Sequence, residues 1–135
     1  MTVSPMPSAV DRAIGSRWRV IRLASPDGAW EVPPDGRPAL LNLQPEGRFV
    51  CGDTVNALSG TYEKTLDGLV QRCATTTTAG YDGRDPHRVR VINAMNTMSN
   101  SRIVISDTDA EDEIIVSADS LHLTFTRHPP SSRTH

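Results

Sequence analysis

Five carboxylates crowd into one short stretch: Asp107, Asp109, Glu111, Asp112 and Glu113. Oxygen ligands at alternate positions are what a hard cation such as calcium needs. An EF-hand loop also requires glycine at its sixth position and glutamate at its twelfth. Counted from Asp107, those positions hold Asp112 and Ala118, so the cluster reads as a solvated acidic connection. His87, His122, His128 and His135 show no metal-binding spacing such as H-E-x-x-H. Thr75–Thr78 is a run of hydroxyls, but no base or oxyanion motif stands beside it, and threonines suit an extended edge. Cys51 and Cys73 form neither a metal motif nor a disulfide framework. They read as small apolar free thiols on strands that could neighbour one another. The sequence therefore nominates no catalytic residue, no metal ligand and no cofactor.

The chain that must position these groups has 135 residues, which points to a single domain burying about two thirds of its unfolded surface. Apolar residues make up 37% and charged residues 22%, below the globular average yet above the disordered range. A net charge of −2 gives no electrostatic reason to expect nucleic acid or an anionic membrane. No apolar run is long enough to span a bilayer, and Met1–Ala9 lacks the basic and apolar regions of a signal peptide. The expectation is a reduced, cytoplasmic protein.

Short β-like runs alternate with turn signals. Arg17–Leu23 begins with Trp18 and Val20 on one face and breaks at Ile21, as a bulged strand would. Pro-Asp-Gly turns follow at Pro26–Gly28 and Pro34–Gly36. Ala39, Leu41 and Leu43 share a strand face, and Pro45-Glu46-Gly47 turns the chain into Arg48–Cys51. Leu58, Gly60 and Tyr62 alternate in the next strand, and Asp67-Gly68 leads into Leu69–Cys73. Arg102–Ser106, Glu113–Ser117 and Leu121–Arg127 close the domain, with Leu121, Leu123 and Phe125 directed inward. Asp85-Pro86 is an N-cap followed by proline, and Val91, Ile92, Met95 and Met98 recur at helical spacing. The pattern predicts an α+β domain, mainly antiparallel β: a curved sheet or partial barrel packed on one helix over 85–98. Its predicted bounds are 16–128, between a flexible segment over 1–15 and a disordered tail over 129–135.

Several segments, taken in order, resemble the META domain, the HslJ-like family. They are Ser16-Arg17-Trp18, Pro38–Leu43, Gly47-Arg48-Phe49, Gly52-Asp53, Asn56, Ser59-Gly60-Thr61-Tyr62, Thr75–Thr78, and Leu123, Phe125 and Arg127 of the closing strand. The resemblance covers Ser16 to Arg127. It implies a mainly antiparallel sheet curled around one helix and a stress-associated role without an established reaction. Many family members are exported and carry cysteines before the asparagine and after the threonines. Here Val55 precedes Asn56 and Ala79-Gly80 follows Thr78, so neither disulfide nor export is carried over.

Asp53, Asn56, Gly60 and Tyr62 are the signature positions. As ligand contacts, Asp53 and Asn56 would sit on a loop; the structural reading has Asn56 holding a tight turn and Gly60 allowing close strand packing. The candidate ligand-binding residues are Trp18, Trp30, Asp53, Asn56, Tyr62 and Tyr81. They belong to an expected non-enzymatic accessory or stress-related binding domain, with a protein partner or small apolar ligand on its sheet face or barrel mouth. The expected state is monomer or homodimer. One alternative is a small partial-barrel enzyme, such as a natural-product cyclase, acting by pocket shape; another is an assembly subunit pairing through an edge strand. A cavity lined by Trp18, Trp30 or Tyr81 with converging polar groups would favour ligand or enzyme over assembly.

Overall fold

The computed structural model describes residues 8–32, 38–77, 85–110 and 112–128. The Pro34–Gly36 turn, Thr78, Tyr81, Glu111 and the tail lie outside them.

Strand β1 (Arg17–Ser25) turns at Pro26-Asp27 into the short β2 (Gly28–Glu31). Then come β3 (Leu40–Gln44), β4 (Arg48–Gly52), β5 (Ala57–Lys64) and β6 (Gly68–Thr76). After a helix, β7 (Arg102–Asp107), β8 (Glu113–Ala118) and β9 (Leu121–Arg127) follow. Every neighbouring pair is antiparallel, in the order β2-β1-β3-β4-β5-β6-β7-β8-β9, and β9 returns to pair with β1. The expected partial barrel is thus a closed one of eight strands, with β2 appended. Closure removes the free edges that a curved sheet of this length would expose. One edge of β1 is shared, its lower half by β3 (Trp18↔Leu41) and its upper half by β2 (Leu23↔Trp30). The break at Ile21 is a register shift against β9 between Val20 and Arg22. It returns Leu23 to the interior beside Trp18 and Val20.

Side chains fill the lumen, as expected for a barrel of this strand number. Trp18, Leu41, Leu43, Phe49, Ile114 and Phe125 are wholly buried. Gly60 is required by contact: a Cβ there would lie 2.0 Å from the Arg72 carbonyl oxygen across the β5–β6 pair. Cys51 and Cys73 are free thiols on β4 and β6, with β5 between them rather than on adjoining strands.

Each end of the barrel carries a helix. Helix α2 (Pro86–Met98) begins where the sequence places it, with the Asp85 carboxylate accepting from the His87 N–H at 3.0 Å. Val91, Ala94, Met95 and Met98 enter the core, whereas Ile92, expected there, is only half-buried. The helix is fastened to the β4–β5 turn. Asn96 Nδ2 donates to Asp53 Oδ2 at 2.8 Å, and Ser99 Oγ donates to the Met95 carbonyl and lies 3.1 Å from Cys51 Sγ.

The other end holds a helix that was not expected. Helix α1 (Ala9–Ala13) is capped by Ser8, whose hydroxyl accepts from the Asp11 N–H at 3.1 Å. Ala9, Val10 and Ala13 are buried, so the core begins ahead of Ser16, within the segment read as flexible. Gly15 adopts φ +90 and donates to the Leu43 carbonyl, folding the helix back beneath the strands. The Ala13 carbonyl accepts from Trp18 Nε1 at 3.0 Å, satisfying an indole that would otherwise be buried unpaired.

Candidate functional site

The β1–β2 turn sets Trp30 opposite Leu23, with its ring toward α2. The Arg90 guanidinium lies 4.3 Å from the centre of that ring, and Arg90 Nη1 is 3.2 Å from His87 Nδ1 one turn back. Arg90, Asn93 and Thr97 form a helical stripe beside the one that enters the core. Across from it, the β8–β9 turn runs through Asp119 at φ 53 and Ser120 to Leu121. These three elements enclose an open cleft of about 540 Å³, within the range of small-molecule sites. Its floor is Leu23, Ala94, Ala118 and Leu121; its rim carries Ser25, Asp27, Arg90, Asn93, Asp119 and Ser120. The arrangement suits an apolar body with polar groups at its edge. Two carboxylates and one guanidinium on the rim are available to orient it.

Of the expected ligand residues among the described ones, Trp30 alone lines this cleft. Trp18 is buried toward the α1 end, with the Arg127 guanidinium 4.7 Å from its ring centre. Asp53 is 1% exposed and occupied within its own turn: Oδ1 accepts from the Val55 and Asn56 N–H groups at 3.0 and 2.7 Å. Those bonds span Thr54, a β-branched residue held at φ 81, where strain of roughly 1–3 kcal/mol is typical. Asn56 Oδ1 accepts from Thr77 Oγ1 at 2.6 Å, which in turn accepts from the Ala57 N–H. Tyr62 donates its hydroxyl to the Gln44 carbonyl, and burial raises its pKa. These contacts hold turns and strands together. Tyr81 lies outside the described residues.

The acidic stretch is divided among partners rather than gathered: Asp107 pairs with Arg12, Asp112 with Arg127, and Glu113 meets Thr108. Among the described residues, no three His, Cys, Asp or Glu side chains come together as metal ligands. One nucleophile–base contact does form. Ser117 Oγ and His122 Nδ1 are 2.8 Å apart across the β8–β9 pair. Val116 and Leu123 beside them face inward, so this pair stands on the convex outer wall, where it reads as a cross-strand polar contact. Arg90, Asn93, Thr97 and Asp119 went unnoticed in the sequence; the i, i+3, i+7 spacing of the first three was the available signal.

No family model matches the chain, and no curated protein sequence does either. Solved structures do. An NMR structure of a protein from Burkholderia xenovorans superposes with a TM-score of 0.66 at 20% identity, covering 96% of this chain and 95% of that one. A second NMR structure gives 0.63 at 11% identity, over 91% and 95% of the two chains. The likeness is one of fold. Among the described residues, no helix is long and apolar enough to cross a membrane.

Proposed function

We propose that this protein is a non-enzymatic binding domain that takes a small, largely apolar ligand in the cleft between α2, the β1–β2 turn and the β8–β9 turn. The supporting observation is the cleft itself: an apolar floor at the barrel mouth, walled by a tryptophan with an arginine stacked on it and rimmed by opposite charges. Ligand pockets combine these features, and a planar or aromatic body would bury well against Trp30. The META-like, stress-associated accessory role is part of the same proposal and rests on the residue pattern from Ser16 to Arg127.

The test uses 1-anilinonaphthalene-8-sulfonate, an aromatic probe with one anionic group, and follows its fluorescence on titration. Saturable one-to-one binding is expected. Thr97→Trp, which fills the cleft from an exposed helix position, should weaken it at least about tenfold with the melting temperature unchanged. Equal binding by wild type and Thr97→Trp, or no binding by either, would remove the cleft as the site.

A further inference from the structure

The rim of the α2 cleft is unbalanced in charge. Asp27 and Asp119 line it from the β1–β2 and β8–β9 turns, and both residues are exposed. Backbone pairing sets those two turns side by side, because Ala24 near the end of β1 is in register with His122 at the start of β9. Neither carboxylate takes part in an ion pair or a hydrogen bond among the described residues. Arg90 is the one basic residue lining the cleft, and it is already engaged. Its guanidinium stacks on Trp30 at 4.3 Å, and Nη1 lies 3.2 Å from His87 Nδ1.

Two uncommitted negative charges thus face the cleft against one occupied positive charge. Like charges held in neighbouring turns repel, and a cation brought between the turns relieves that repulsion. The remaining polar lining groups suit the same guest. The hydroxyls of Ser25, Thr97 and Ser120 accept hydrogen bonds from an ammonium as readily as they donate to other groups. The floor of Leu23 and Leu121 takes the apolar remainder.

We infer that the ligand of this cleft is a hydrophobic cation, an apolar or aromatic body carrying an ammonium or guanidinium group, with Asp27 and Asp119 as the partners of its charge. The inference rests on the cleft being the binding site proposed above and adds the charge of what it takes.

The anionic dye reports occupancy of the apolar floor, whereas the charge preference is read from a matched series. The ¹⁵N-labelled protein is titrated with 2-naphthylmethylamine, 2-naphthylmethanol and 2-naphthoate, which share one ring system and differ in charge. Saturable shifts at the amides of Asn93, Thr97 and Asp119 place binding in the cleft. At low ionic strength the amine should bind about five- to tenfold more tightly than the alcohol, the scale of two exposed ion contacts. The naphthoate should bind no more tightly than the alcohol. The preference should shrink at about 1 M salt, where exposed charges are screened. Asp27→Asn combined with Asp119→Asn keeps the size of both side chains, and asparagine tolerates the left-handed backbone at Asp119 (φ 53) as aspartate does. In that double variant the amine should fall to the affinity of the alcohol, with the alcohol binding as it does to wild type. Equal binding of amine and alcohol by wild type, or tightest binding of naphthoate, would overturn the charge assignment and leave the cleft standing. So would an amine preference that survives the double variant. No saturable binding by any of the three would sink the cleft itself, and this assignment with it.

Discussion

Both ends of the barrel are stoppered by a helix, and they are stoppered differently. At one end α1, five residues long, turns Ala9, Val10 and Ala13 into the core and leaves a polar, basic rim outside it. At the other, α2 is thirteen residues long and presents two stripes. Val91, Met95 and Met98 close the lumen, while Arg90, Asn93 and Thr97 stand clear of it and wall a cleft against Trp30. A short helix can only plug. A longer one can plug with one stripe and display another, because adjacent stripes at i, i+3 and i+4 diverge by a fraction of a turn.

The largest expected effect breaks the two stoppers in parallel. Met95→Asp buries an unpaired carboxylate among wholly buried neighbours and should cost on the order of 4 kcal/mol. Val10→Asp should cost about half as much, because a five-residue helix can leave its seat with little else unfolding. Urea denaturation of both variants decides the matter; equal losses would erase the distinction between the ends.

A smaller effect sits under α2 alone. Burial raises the Cys51 thiol from 9.0 to about 11, partly offset by its hydrogen-bonding contact with Ser99. In this window the folded state keeps a proton that the unfolded chain gives up. The stabilisation is fully present below about pH 9 and is lost as pH rises to about 11, a decline of roughly 2–3 kcal/mol. Denaturation midpoints across that range should fall for wild type and fall less steeply for Cys51→Ala. A parallel fall in both would place the alkaline sensitivity elsewhere.

The smallest concerns the tether. Asn96→Ala removes the side-chain donor from buried Asp53 and should cost about 1–2 kcal/mol. It should also raise hydrogen exchange in the last turn of α2 before it raises exchange in β4. Uniform acceleration would mean that the turn and the helix open as one unit.

Much of this barrel was legible residue by residue. Alternation gave Ala39, Leu41 and Leu43, the hydrophobic break at Ile21 marked the bulge, and Asp85-Pro86 marked the start of α2. Closure was not legible. The pairing of β9 with β1 joins segments at opposite ends of the domain, and no local pattern encodes which distant edge a strand will meet. The AVDRA helix and the GAWE strand are too short to display a period, so α1 and β2 escaped notice. The cleft was visible only through Trp30. Its other wall is a mixed polar stripe on a helix whose apolar stripe drew the attention, and charged residues there look like any solvated face.

The return of β9 to β1 also sets the order in which this chain can fold. Neighbouring hairpins need only short loops to close, but the last seam must gather segments far apart in sequence, and such long-range closures are entropically costly and slow. On a ribosome, β1 is made first and its final partner last. Until β9 emerges, one edge of β1 waits unpaired, a template for any other strand that arrives. The β1–β2 turn shortens that exposure on the opposite edge, since Arg22–Ser25 can pair with Gly28–Glu31 as soon as both have emerged. In that light β2, which lies outside the ring of eight strands, covers a stretch of β1 edge with a strictly local partner.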